Sequence, residues 1–254
     1  MRLWCDGMEQ ARCRVGAHFS EAGVKFLAGL KRHNEREWFI ARKPVYEREL
    51  KKPLLELIAE VNAELARFAP DFVRDPQKCA MRIYRDIRFS PDKRPYKNKV
   101  AAWWARRGLE KTSGGGFYFE LTATSITCAA GVYMPDKDQT LAIRRMLLER
   151  YADYRRLATS RAVRAAGLVE FDGLRLTRAP KGFPPEHAAL DLVQQRQWGL
   201  SVQLPIADAV DPGLVKNVVA CFKAATPLVD LLNLPFDCRV AQTAFLSFAA
   251  LAYS

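Results

Sequence analysis

The stretch FYFELTATSITCAAGVY, residues 117–133, decides the fold. Two β-rich runs of period two, Phe117 to Thr124 and Ile126 to Tyr133, follow each other almost without interruption, and Thr124-Ser125 marks a tight turn between them. Runs joined so closely form an antiparallel pair. Upstream, Gly114-Gly115-Gly116 supplies a flexible turn, preceded by further β-rich runs at Val100 to Arg107 and Met81 to Phe89. These four runs read as an antiparallel meander. A strand over Trp198 to Leu204 is expected to rejoin the sheet.

Helical signals flank this block. Ser20 caps a helix from Glu21 that places Val24, Phe26, Leu27 and Leu30 on one side and ends near His33-Asn34. Leu54, Leu57, Ile58, Val61, Leu65 and Phe68 recur at helical spacing, with the helix starting at or kinking around Pro53, because a residue before proline avoids the α region. Trp38-Phe39, after the polar run 34–37, reads as the anchor of a short connection, or as a pocket wall with Asn34 and Arg36 at its rim. Pro135-Asp136 opens a helical stretch through Tyr154, another lies around Ser160 to Ala166, and Asp211-Pro212 starts a helix through Leu232. With no repeat, linker or compositional shift, the pattern gives one α+β domain over residues 19–235, a mainly antiparallel sheet flanked by helices. Residues 1–18 are an N-terminal extension and 236–254 a C-terminal tail.

A chain of 254 residues, 49% hydrophobic and 27% charged, can bury a sizeable core and is neither disordered nor membrane-embedded by composition. Its six cysteines include no CxxC pair and have no histidine nearby, which speaks against zinc; no metal is expected. Residues 1–14 lack the apolar run of a secretory signal, and Val240 to Tyr253 is shorter than the ~20 apolar residues that span a bilayer. The expectation is a cytoplasmic protein with reduced thiols, Cys128 being a small core residue, and no membrane partner. The net charge of +12 favours anionic partners or reflects an arginine-rich solvated surface.

The densest polar cluster runs from Arg82 to Lys97. From Arg74 to Lys99 there are nine Lys or Arg against three Asp, a local net of +6. If the first part is a strand, Arg82, Tyr84, Asp86 and Arg88 share one face and Ile83, Ile87 and Phe89 the other. Arg85 then falls among the inward residues and needs a carboxylate or carbonyl partner.

This segment, RIYRDIRFSPDKRPYK, together with Asn34, Arg36, Trp38-Phe39, Lys43 and Tyr46, Gly131 to Pro135 and Pro180-Lys181-Gly182-Phe183, resembles the uncharacterised family called domain of unknown function 2461, from about Phe19 to about Pro235. Ala188 stands where that family often has proline. The resemblance marks Arg85, Asp86, Arg88, Phe89, Ser90, Asp92, Lys93, Pro95, Tyr96 and Lys97 as hallmark positions and implies no catalytic role, substrate or cofactor.

The residues support several functions. Arg82, Tyr84, Arg85, Asp86, Arg88, Asp92, Lys93, Tyr96 and Lys97 suit a phosphate-bearing ligand, either a phosphorylated small molecule or nucleic acid, with Tyr84, Tyr96, Trp103 and Trp104 as stacking surfaces. Alternatively Asp86, Asp92 or Glu120, the last from a neighbouring strand, acts as acid or base beside arginines in a small-molecule enzyme. An ion-pair network without a ligand, or a protein-interaction scaffold, uses the same residues structurally. Gly114 to Gly116 lacks the lysine and helix of a phosphate loop. His187, after the Pro180 to Pro185 loop, is expected to cap or lie at the surface rather than reach the sheet.

Overall fold

The computed structural model describes residues 16–88, 90–109 and 114–237. The meander is present in it as β1 (Val100–Ala105), β2 (Gly116–Leu121) and β3 (Ser125–Val132), and the later strand as β5 (Trp198–Pro205), with a two-residue β4 (Val169–Glu170) at its side. All pairs are antiparallel, in the order β1-β2-β3-β5-β4. The β2–β3 turn is held by Thr122, whose hydroxyl accepts from the backbone N–H of Thr124 and of Ser125.

Period two sorts the side chains. Ala102 and Trp104 of β1, Phe117, Phe119 and Leu121 of β2, and Ile126, Cys128 and Ala130 of β3 are buried together in the main core. The helices α3 (Lys52–Phe68) and α8 (Leu214–Asn233) pack on this face. Phe222 of α8 stacks on Phe117 and meets Trp104 edge-on, and the Trp104 indole N–H donates to Asn62 of α3. By length and apolar composition Leu214–Phe236 passes as a membrane span, but half of the window is buried inside the fold, which is how a core helix of a soluble domain is used.

Ser20 caps α1 (Glu21–Arg32) as expected. The next helix, α2 (Arg36–Tyr46), was not foreseen: Trp38-Phe39 lies within it, and it runs through a π-turn at Glu47–Lys51 directly into α3. Lys52 is helical despite preceding Pro53, since the widened i→i+5 turn lets the helix pass a residue that has no N–H to give. Short α4 (Pro76–Cys79) precedes the sheet. An Asp136–Gln139 capping box starts α5 (Lys137–Ala158), Ser160 caps α6 (Arg161–Ala165), and α7 (Leu190–Val193) is one turn. Asp211 takes the N–H of Gly213, so α8 begins at Leu214, slightly later than expected.

The strand expected at 81–89 is replaced by an arch. It touches β1 through the Ala80–Ala102 bridge, leaves the sheet, and closes on itself at the Tyr84–Tyr96 bridge. There the Arg85 N–H donates to Pro95 O (2.9 Å) and the Lys97 N–H to Ile83 O (2.8 Å). The departure has a local cause: Asp86 and Asp92 accept the N–H groups of Arg88 and Arg94, bonds that compete with a ladder, and Pro91 and Pro95 have no N–H to offer one. The burial alternation partly survives, with Ile83 buried and Arg82, Tyr84, Asp86 and Arg88 exposed. Phe89 lies outside the described residues, as do residues 1–15 and 238–254.

Candidate functional site

The face of the sheet turned away from the helices is open. Ala101 and Trp103 of β1, Tyr118 and Glu120 of β2, Thr127, Ala129 and Gly131 of β3 and Ser201 of β5 line a cavity of about 610 Å³. The register explains the hollow: one row across the strands reads Ala101, Glu120, Thr127 and the next Trp103, Tyr118, Ala129, Ser201. The small side chains of Ala101, Thr127, Ala129 and Ser201 leave space that Trp103, Tyr118 and Glu120 do not fill. Its walls are Met81, Arg82 and Lys97 of the arch on one side, Tyr133-Met134 after β3, and Phe171-Asp172 with Gln197 on the other.

The polar floor is one connected group. A single oxygen of Glu120, Oε2, accepts from the Tyr118 hydroxyl (2.5 Å) and from the Lys99 ammonium (2.5 Å), and Lys99 Nζ also lies 3.4 Å from the Tyr118 oxygen. Burial, then the adjacent carboxylate, pushes the Tyr118 phenol far above its usual range, so it stays protonated and donates. The Trp103 indole N–H is buried and has no acceptor among the described residues. At the rim, Arg82 is exposed and its side chain makes no hydrogen bond or ion pair among the described residues, while its backbone carbonyl accepts from Lys97 Nζ.

Of the residues singled out from sequence, the cavity therefore takes Arg82, Lys97 and Glu120. The others lie outside its lining. Arg85, half-buried, is paired with Asp92, which also takes Arg94; Asp86 is paired with Arg88 through two bonds; and Lys93 Nζ donates to Ile87 O. Asp86 lies in no strand of the sheet and does not line the cavity with Glu120. Tyr96 is a core residue, its ring stacked on Phe39 at 4.1 Å, with the exposed Tyr84 against both. Trp103 is the one of the four candidate stacking aromatics that lines the cavity; Trp104 faces the helices. His187 accepts from the Ala189 N–H and meets Tyr151 edge-on, a capping position.

What holds the arch over the sheet is Asn34, a buried residue between α1 and α2. Its side chain imitates a strand partner: Oδ1 accepts from the Tyr96 N–H and Nδ2 donates to Tyr96 O, both at 3.0 Å, and Nδ2 also donates to Asn98 Oδ1 (2.7 Å). The Asn34 and Trp38-Phe39 motif and the arch are thus parts of one joint, which sets Arg82 and Lys97 beside the cavity. Cys128 and Cys221 meet in the core as free thiols. Among the described residues no three His, Cys, Asp or Glu gather as a metal site.

The ion pairs on the arch set its acid response. Arg88 lowers the Asp86 carboxyl to about 2, first through side-chain hydrogen bonds, and Arg94 and then Arg85 hold Asp92 well below the carboxylate range. A depressed folded-state value means that this contribution is present above the ordinary value and is lost as pH falls through the folded one. A carboxyl-carbon NMR titration is expected to put Asp86 near 2 and to return it toward the ordinary range in Arg88→Ala; an ordinary midpoint in the parent protein would show the pair to be unformed.

The family model described as conserved hypothetical protein (DUF2461) matches residues 22–231. No curated protein matches the chain.

Proposed function

The chain belongs to the DUF2461 family of conserved hypothetical proteins, and from its geometry we propose that the open sheet face binds a small organic molecule with an apolar body and a phosphate or similar anionic group. The observation that carries this reading is the hollow itself: about 610 Å³, within the ~300–1,000 Å³ of small-molecule sites. Trp103, Tyr118, Tyr133, Met134 and Phe171 offer an apolar surface, and a few polar groups are placed to orient a ligand. Arg82, with Lys97 beside it, is suited to the anionic group, since a guanidinium fork matches phosphate and carboxylate oxygens. The overall charge of +12 draws anions toward it.

The nucleic-acid version has less support. Asp86 and Asp92 are already paired with Arg85, Arg88 and Arg94, and Arg82, Lys97 and Lys99 border a concave site rather than a long track. A cytoplasmic location is part of the proposal, supported by the free thiols of Cys128 and Cys221, which meet without a disulfide.

A thermal-shift screen of metabolites should return hits that combine an anionic group with an apolar body; a ligand at 100 times its Kd adds about 2.7 kcal/mol of stability. Arg82→Ala is expected to weaken such hits about tenfold or more, the scale of one lost charge-assisted hydrogen bond, without lowering the melting temperature of the free protein. Hits indifferent to Arg82→Ala would remove the anion from the proposal. Steeply salt-dependent oligonucleotide binding would favour the nucleic-acid version instead.

A further inference from the structure

Resting on the small-molecule reading of the open face, we infer that its floor is a proton-transfer site, in which Glu120 takes a proton from a carbon next to a carbonyl group and Lys99 holds the oxygen where negative charge develops. Both donors that reach Glu120, Tyr118 OH and Lys99 Nζ, bind the same oxygen at 2.5 Å. The other oxygen, Oε1, has no hydrogen bond among the described residues, and Glu120 lines the cavity with its side chain 16% exposed. The carboxylate is therefore fixed in orientation through one oxygen while the second keeps its lone pairs for a bound molecule.

Lys99 supplies the complementary group. Its ammonium has three N–H donors; one is given to Glu120 and a second points toward Tyr118 at 3.4 Å, which leaves a third for a ligand on a side chain 38% exposed. Base and cation are thus in contact, matching a carbonyl oxygen and its neighbouring C–H, which are two bonds apart. A cation beside the developing oxyanion acts most strongly where the site is partly desolvated.

An ion pair kept for stability alone has a weaker claim on this geometry. Such pairs contribute little when exposed and carry a desolvation cost when buried. Here the pair lies in the floor of a hollow, and the strand neighbours of Glu120 on either side, Ala101 and Thr127, are small.

The step balances without a co-reactant. The C–H bond breaks, its proton goes to Glu120 Oε1, and its electron pair forms the C=C bond of an enolate whose oxygen is held by Lys99. Return of the proton to the same carbon gives exchange with solvent; in a hydroxycarbonyl compound, return to the former carbonyl carbon, with the hydroxyl proton passing to the former carbonyl oxygen, gives isomerisation. Tyr118 is a positioning residue: Tyr118→Phe is expected to lower kcat for exchange and leave KM unchanged.

Two probes carry the required groups: phenylpyruvate, an aromatic carboxylate, and dihydroxyacetone phosphate. Proton NMR in D₂O follows loss of their C–H signals, and saturation-transfer NMR reads their binding. The expected result is exchange of at least one probe about 100-fold or more above buffer, the scale of general-base catalysis. Glu120→Gln should bring it to the buffer rate with the probe still bound, and Glu120→Asp, which keeps the charge but retracts it, should fall between. A probe that binds but exchanges at the buffer rate, or equally fast with Glu120→Gln, overturns the proton-transfer inference and leaves the binding site standing. Failure of both probes to bind counts against the anionic-ligand reading itself.

Discussion

Asn34→Ala is expected to destabilise the protein by about 2–5 kcal/mol and to loosen the arch that carries Arg82 and Lys97. The substitution deletes the acceptor for the buried Tyr96 N–H and the donor for its carbonyl in one stroke, along with the bond to Asn98. Each buried polar group left without a partner costs about 1–3 kcal/mol, whereas a lost surface hydrogen bond is replaced by water. The stacked Tyr96–Phe39 pair next to it would lose its register. Urea denaturation reads the midpoint, and amide hydrogen exchange over residues 83–97 reads the arch. An unchanged midpoint with unchanged protection would show that Asn34 is not the joint.

Gly131→Ala is expected to cost about 3 kcal/mol or more and to abolish ligand binding. Two effects combine there. Gly131 has φ +142°, a backbone region that residues with a Cβ rarely adopt, and an added Cβ would lie 2.2 Å from Trp198 O and 2.5 Å from Gly199 Cα on the paired strand. β3 and β5 would have to part at the centre of the sheet, where the partner glycine also makes room: a Cβ on Gly199 would meet the Phe171 ring at 2.7 Å. Gly182→Ala is the control, since it shares a positive φ of +84° but has nothing within 4 Å of the added Cβ, so only the ~1–2 kcal/mol of backbone strain applies. Equal losses for both variants, measured by thermal denaturation, would mean that the close approach of β3 and β5 contributes nothing.

The period-two reading of residues 117–133 was sufficient for the core sheet because burial alternates there almost residue by residue: Phe117, Phe119 and Leu121 inside, Tyr118 and Glu120 on the open side. Caps at Ser20, Asp136 and Ser160 marked helix starts for a similarly local reason. The sequence reading missed α2, since Pro44 and Pro53 look like breaks and only tertiary packing of Phe39 and Tyr46 reveals a continuous helix. The two residues of β4 are too few to show any period. At 81–89 the alternation was real but the strand was not, since Asp86 and Asp92 bind local backbone instead of supporting a ladder.

The site was legible only where it overlaps the charged cluster. Arg82, Lys97 and Glu120 stood out by residue type, but Phe171-Asp172, Gln197 and Ser201 are brought to it by β5 pairing with β3, which no local pattern announces. One signal was present and carried more than it seemed. Ala101, Thr127, Ala129 and Gly131 occupy the outward positions of their strands, where a merely solvated face would carry larger charged side chains. Small residues on an outward face mark space kept free.

Ligands are expected to enter over that small-residue floor rather than on the ion-paired arch. Amide NMR mapping of a hit from the metabolite screen tests it most directly. Shifts are expected to concentrate at residues 99–103, 118–120, 127–131 and 171–172, and to disappear when Ala129→Phe fills the hollow. Shifts confined to residues 85–94, unaffected by Ala129→Phe, would contradict it.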